Sequence, residues 1–190
     1  MTRATSKLFA IGLLAFARAA AASGGELRVC LSDWFYVQPN VLARAKFLSS
    51  RMFATAGVSI DWRRADSTAC RAGDAISLTV NFSVDTPDDF HPNAMGYASP
   101  MEGVHVAILF DRIERAAADP KRLSAILAHV MTHEITHMIE GVSRHSETGL
   151  MKARWDAREL ASMALEPMPF APEDLELIQL GMQRWNAAEM

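Results

Sequence analysis

The chain has 190 residues, half of them apolar, and a formal net charge of −3 with no long run of one sign. That length suits a single domain with one sizeable core, and the apolar content excludes a disordered chain. No basic stripe offers an electrostatic footprint for nucleic acid or for an anionic membrane.

Residues 1–22 read as a secretory signal. Arg3 and Lys7 form a positive start, Leu8 to Ala17 is an apolar run too short to span a bilayer, and Ala20-Ala21-Ala22 offers a small-residue cleavage site. Arg18 fits this reading least, and a buried or interfacial helix is the alternative. The expected product is a single domain over residues 23–190. Its N-terminal part would span about 26–141 and its C-terminal part about 142–190. It would be secreted or periplasmic, without a stable membrane anchor. In an oxidising compartment the only two cysteines, Cys30 and Cys70, are expected to pair. The alternative is two separate buried thiols.

Leu27 to Leu31 alternates and predicts a first strand. Val41 to Ala56 carries Leu42, Ala45, Leu48, Met52 and Phe53 at helical spacing, with Gly57 placed to end the helix. Val58 to Arg63 predicts a second strand, Ala65 to Asp74 a polar connection, and Ala75 to Phe82 a third strand. Asp85 to Pro100 is rich in Pro, Asp, Asn and Gly and predicts a loop. Gly103 to Phe110 predicts a fourth strand, expected at the edge of the sheet. A short helix within Asp111 to Asp119 precedes a long helix over Lys121 to Glu140, apolar around most of its circumference and therefore central. Ala153 to Leu165 looks helical, and Pro172-Glu173-Asp174 opens a last helix. The order predicts an α+β fold: a small mixed, twisted sheet, a long central helix and an α-rich C-terminal part.

The long helix carries His133-Glu134-Ile135-Thr136-His137. Residues four apart share a helix face, so His133 and His137 can offer two imidazoles to one cation. Imidazole suits zinc, and catalytic zinc takes three protein ligands and leaves one position for water. Glu134 is placed to accept a proton from that water. The third ligand is open between three sources. His145 comes after the helix-ending Gly141, which can turn the chain back. Glu159, on the next predicted helix, would complete a His₂Glu site. Glu140 and Glu147 are weaker, Glu140 because the helix phase turns it away. His129 shares the face of His133 but has Val130 where a base would stand. A helix rises about 6 Å over four residues, so three successive turns cannot reach one ion. His129 is read as a supporting or core residue. His91 and His105 are read as structural or surface residues. Tyr36 and Tyr97 are the only tyrosines that could aid an oxyanion.

His-Glu-x-x-His, a helix-ending Gly, a third His succeeded by Ser, then Gly149-Leu150-Met151 resembles the metzincin clan of zinc peptidases. Matrix metalloproteinases are similar in their His-Ser and later Leu-Met. The resemblance implies a zincin-like fold and Zn²⁺ as cofactor. It implies His133, His137 and His145 as ligands, Glu134 as general base and Met151 as the residue of a tight turn beneath the metal. Clan members place two residues before the Gly and two after it, where this chain has three and three. The longer spacing, with the run from His145 to Trp155, is similar to that of uncharacterised secreted bacterial proteins. The resemblance thus implies a secreted zinc metalloendopeptidase acting on peptide or protein substrates as a monomer, with Asp85 to Pro100 and Pro167 to Pro172 flanking the cleft. A zincin-fold protein that binds zinc without turnover, or a His₂Glu hydrolase using Glu159, are the alternatives.

Overall fold

The computed structural model describes residues 25–71 and 77–188, so the expected signal segment lies outside the described residues. Strand β1 (Glu26–Ser32) runs through a short turn at Trp34–Tyr36 into helix α1 (Pro39–Thr55). Pro39 sits in the first turn of α1, where its missing N–H costs nothing, and Gly57 leaves it at φ 75°. Strand β2 (Ser59–Arg64) pairs parallel to β1, and the intervening helix supplies the crossover that parallel neighbours require. A short helix α2 (Thr68–Arg71) carries Cys70, which is bonded to Cys30 of β1 with Cα atoms 6.1 Å apart. Strand β3 (Ser77–Ser83) pairs parallel to the other side of β1. Its Leu78, Val80 and Phe82 are buried on one face, which is the alternation a sheet covered by helices on one side demands.

At the sheet edge, two features differ from the sequence-based expectation. The Asp85–Pro100 segment contains a strand, β4 (Gly96–Ala98), and β5 (His105–Leu109) lies between β3 and β4. The strand expected at the edge is therefore interior, and the edge beside the histidines is β4, antiparallel to β5. A three-residue strand that begins with Gly carries almost no strand propensity of its own. It is held by Arg112, from helix α3 (Phe110–Ala116), whose guanidinium donates to the carbonyls of Pro87, Phe90, His91 and Ala94 at 2.6–2.9 Å.

Helix α4 (Pro120–Glu140) is the centre of the molecule. Asp119 caps it, accepting from the N–H groups of Lys121 and Arg122, and every residue from Ser124 to Glu140 is buried. It packs on α1, β4 and β5, and its Thr132 hydroxyl donates to Ser49 of α1 at 2.9 Å. The expected helix over Ala153–Leu165 shortens to α5 (Ala157–Ser162). Asp156 forms a reciprocal cap with Glu159 and starts that helix four residues late, leaving Ala153 to Trp155 outside it. Helix α6 (Pro172–Ala188) closes the chain against α4; a Cβ on its Gly181 would lie 2.0 Å from the Ile139 carbonyl oxygen, so the two backbones touch there. No helix among the described residues is long and apolar enough to cross a membrane.

Candidate metal centre

His133 and His137 project from successive turns of α4, and their Nε2 atoms stand 3.0 Å apart. Each ring is oriented from behind. His133 Nδ1 donates to the Leu150 carbonyl at 3.0 Å, and His137 Nδ1 donates to the Val142 carbonyl at 3.2 Å. A carbonyl can only accept, so the proton of each neutral ring is on Nδ1 and each Nε2 is a bare lone pair. Burial first, and then the neighbouring imidazoles, push His133 down to about 3 and His137 down to about 4, so both rings are neutral at pH 7. Two bare lone pairs at this separation repel unless a cation lies between them.

Gly141 ends α4 at φ 70°, its N–H on the His137 carbonyl at 2.9 Å. The chain then turns back and brings His145 to the pair. Its ring centroid lies 5.3 Å from that of His133 and 5.0 Å from that of His137. One nitrogen from each of the three rings lies within 4.8 Å of the others. Nitrogens about 2.0–2.1 Å from a tetrahedral zinc ion stand roughly 3.3 Å apart, so this donor set fits zinc. His145 is exposed, and burial and then Arg144 lower its pKa. The other candidates lie elsewhere. Glu159 is engaged by Lys152 at 2.5 Å and by the Asp156 N–H at 2.7 Å; Glu140 is buried beside Arg144; Glu147 is exposed.

Behind the histidines runs a chain of backbone links. Leu150, which holds His133, donates its own N–H to the Pro169 carbonyl at 2.8 Å. Next to Pro169, the Met168 N–H donates to His129 Nε2 at 3.0 Å, while His129 Nδ1 donates to the Ala125 carbonyl at 2.7 Å. His129 is thus fully occupied as a brace, and the Pro167–Pro172 segment buttresses the site rather than flanking its cleft. Gly149, at φ 76°, and Met151, 1 % exposed, lie in the same turn, closed by the Ser146 N–H on the Met151 carbonyl. Trp155 stands edge-on to His133, centroids 5.4 Å apart.

The histidines and Glu134 line a cleft of about 670 Å³. One wall is β4 and the other is Ala153 to Trp155. Glu134 is buried, which raises its carboxyl to about 8. The Leu109 N–H donates to the Met95 carbonyl, so by antiparallel alternation Tyr97 also turns its backbone groups toward β5. Gly96 and Ala98 accordingly turn their N–H and C=O groups outward, into the cleft. Tyr97 lines the cleft, stacked on His91 with its hydroxyl hydrogen-bonded to Ser99, whereas Tyr36 is exposed against Phe35. His105 is exposed on β5. Sequence reasoning misses Gly96, whose only signal is its place in a loop of turn-forming residues.

No protein-family model matches the chain, and no curated protein matches it by sequence. Among solved structures the fold is similar to the crystal structure of archaemetzincin from Methanopyrus kandleri. The match has a TM-score of 0.56 and 16% identity, covering 86% of this chain and 98% of that one. The fold class is therefore zincin-like: among the described residues, a five-stranded mixed sheet with a long helix across it.

Proposed function

We propose that this chain is an exported zinc-dependent endopeptidase, with His133, His137 and His145 as the ligands and Glu134 as the general base. The observation that carries the reading is the pair of bare Nε2 atoms 3.0 Å apart, with a third imidazole beside them and a carboxylate one residue along. A zinc ion bound there supplies Lewis-acid chemistry, polarising a carbonyl and acidifying a water toward ~7. Glu134 takes the proton of the attacking water and delivers it to the leaving amine. A carboxyl raised to about 8 by burial is mostly protonated at pH 7, so a cation at the histidines would be what returns it to the ionised form that this role needs. A substrate chain lies along β4 by strand addition, its backbone meeting the outward groups of Gly96 and Ala98. Met151 and Gly149 belong to a turn that holds the Leu150 carbonyl on His133. The histidine triad, the zincin-like fold and the disulfide support this reading together, and the disulfide also favours a secreted or periplasmic location.

The test is metal content and cleavage of unstructured peptides by the purified protein, beside Glu134→Gln. The expected result is about one zinc per chain in both proteins, with cleavage slowed roughly 10²–10⁴-fold in the variant. Zinc bound without any peptide cleavage leaves a binding module and removes the enzyme. Equal cleavage by both proteins removes Glu134 from its role.

A further inference from the structure

Residues 142–145, directly after α4, have no regular structure, and His145 is exposed. Nothing in the helix itself holds that imidazole beside the other two. The residues on either side of it do, because both bond to one carboxylate. Arg144 Nη2 donates to Asp174 Oδ1 at 2.6 Å, and the Ser146 hydroxyl donates to the same oxygen at 2.5 Å. The second oxygen of Asp174 accepts the Ala171 N–H at 3.0 Å. Asp174 is wholly buried in the first turn of α6, and α6 is seated backbone-to-backbone on α4 at Gly181. Arg184 of α6 also donates to the Glu140 carbonyl at 2.8 Å. The anchor is thus rigid with respect to the helix that carries His133 and His137.

We propose that Asp174 is a positioning residue for His145. It grips Arg144 and Ser146 together and so holds the intervening imidazole at the cluster, despite the long loop. The inference rests on the zinc reading above. The Asp174 carboxylate is wholly buried while Arg144 keeps part of its side chain in water, so removing the carboxylate's charge frees Arg144 to turn toward solvent and take the loop with it.

Zinc affinity of the full chain, by competition with a chromophoric chelator, tests the proposal. The visible spectrum of the cobalt-substituted protein is the second readout. Asp174→Asn keeps the shape but cannot accept on both oxygens. It is expected to weaken zinc about 10–100-fold and to shift the cobalt spectrum toward that of His145→Ala. A double variant, Asp174→Asn with His145→Ala, is expected to bind zinc no more weakly than His145→Ala alone, since the first change acts through the second residue. Ser146→Ala, which spares the ion pair and the fold, is expected to give a smaller loss in the same direction. Additive losses in the double variant overturn the positioning role, as does wild-type affinity in Asp174→Asn. If His145→Ala weakens zinc while neither Asp174→Asn nor Ser146→Ala does, the zinc reading stands and the positioning role alone falls. A wild-type chain that holds no zinc overturns both.

Discussion

The carboxylate of Glu134 rests against a residue with no side chain. A Cβ on Gly96 would lie 2.6 Å from Glu134 Cγ and 2.8 Å from its Oε1. Both atoms would have to shift, and Val130 Cγ1, at 2.9 Å, closes one way out. Gly96→Ala is therefore expected to displace the base and lower kcat/KM at least tenfold while zinc affinity stays within a factor of two, a split read from kinetics and metal titration together. Glu140 gives a prediction of a different kind. Its carboxylate is buried with neither oxygen hydrogen-bonded; burial raises its pKa to about 7, the nearby Arg144 opposing and Asp174 reinforcing that shift. Between about 4.5 and about 7 the unfolded chain has released this proton and the folded chain keeps it. Stability therefore falls as pH rises through that window and levels off above it. Glu140→Gln is expected to flatten the slope and raise the Tm of the zinc-loaded protein at about pH 8, with little change at about pH 5. The residues legible in the sequence are those whose chemistry is local. His133, Glu134, His137 and Gly141 come from helix phase and a cap. Asp174 lies twenty-nine positions beyond His145, and Pro172-Glu173-Asp174 signals nothing but a helix start.

At the scale of elements, α1 and the parallel strands show through periodicity, because burial on one face imposes it, and the long helix shows through an apolar run that surrounds it. β4 does not. Gly96, Tyr97 and Ala98 pair with Ile108, Ala107 and Val106 only because Arg112 collects four carbonyls of the preceding loop. That tertiary constraint has no signature in a three-residue window, and without it the pattern places the edge on the wrong strand. The same holds for α5, where the Asp156 cap competes with the helical pattern of Ala153 to Trp155 and wins. The pairing of Cys30 with Cys70 is legible from the cysteine count and the signal-like N-terminus. It ties α2 to β1 across 40 positions, and on the chain-entropy model such a link contributes about 4 kcal/mol. Replacing both cysteines by Ala is expected to lower the unfolding free energy by about 2–4 kcal/mol in a denaturant titration, with the urea m-value rising or unchanged.

Taken whole, the molecule joins its sheet-and-helix half to the chain beyond Gly141 through three kinds of link: imidazole to backbone, α6 to α4, and the shared histidine cluster. A metal ion at that cluster binds the folded state alone, since the unfolded chain separates His145 from the helix pair. Removal of zinc by a chelator is therefore expected to lower the Tm. At a free zinc concentration about 1,000 times its Kd the linkage amounts to about 4 kcal/mol, or roughly 10 °C for a chain of this size. Added zinc should restore the original melt, and a Tm indifferent to chelation would place no metal at the site.

The brevity of β4 has a consequence for how the protein survives in a crowded compartment. An open sheet edge invites pairing with any extended chain, including a neighbouring copy, and proteins commonly guard such edges with charge, bulges or shortness. This edge spans about 10 Å and exposes the outward groups of two residues. That is too little to template a growing stack of strands, yet under the proposed function it is enough to align one chain that would also be held at the histidine cluster. On that reading a longer β4 would hold a substrate chain more tightly and would also invite pairing with a neighbouring copy; three residues limit that pairing on the cleft side, while the sheet's other edge is the six-residue β2.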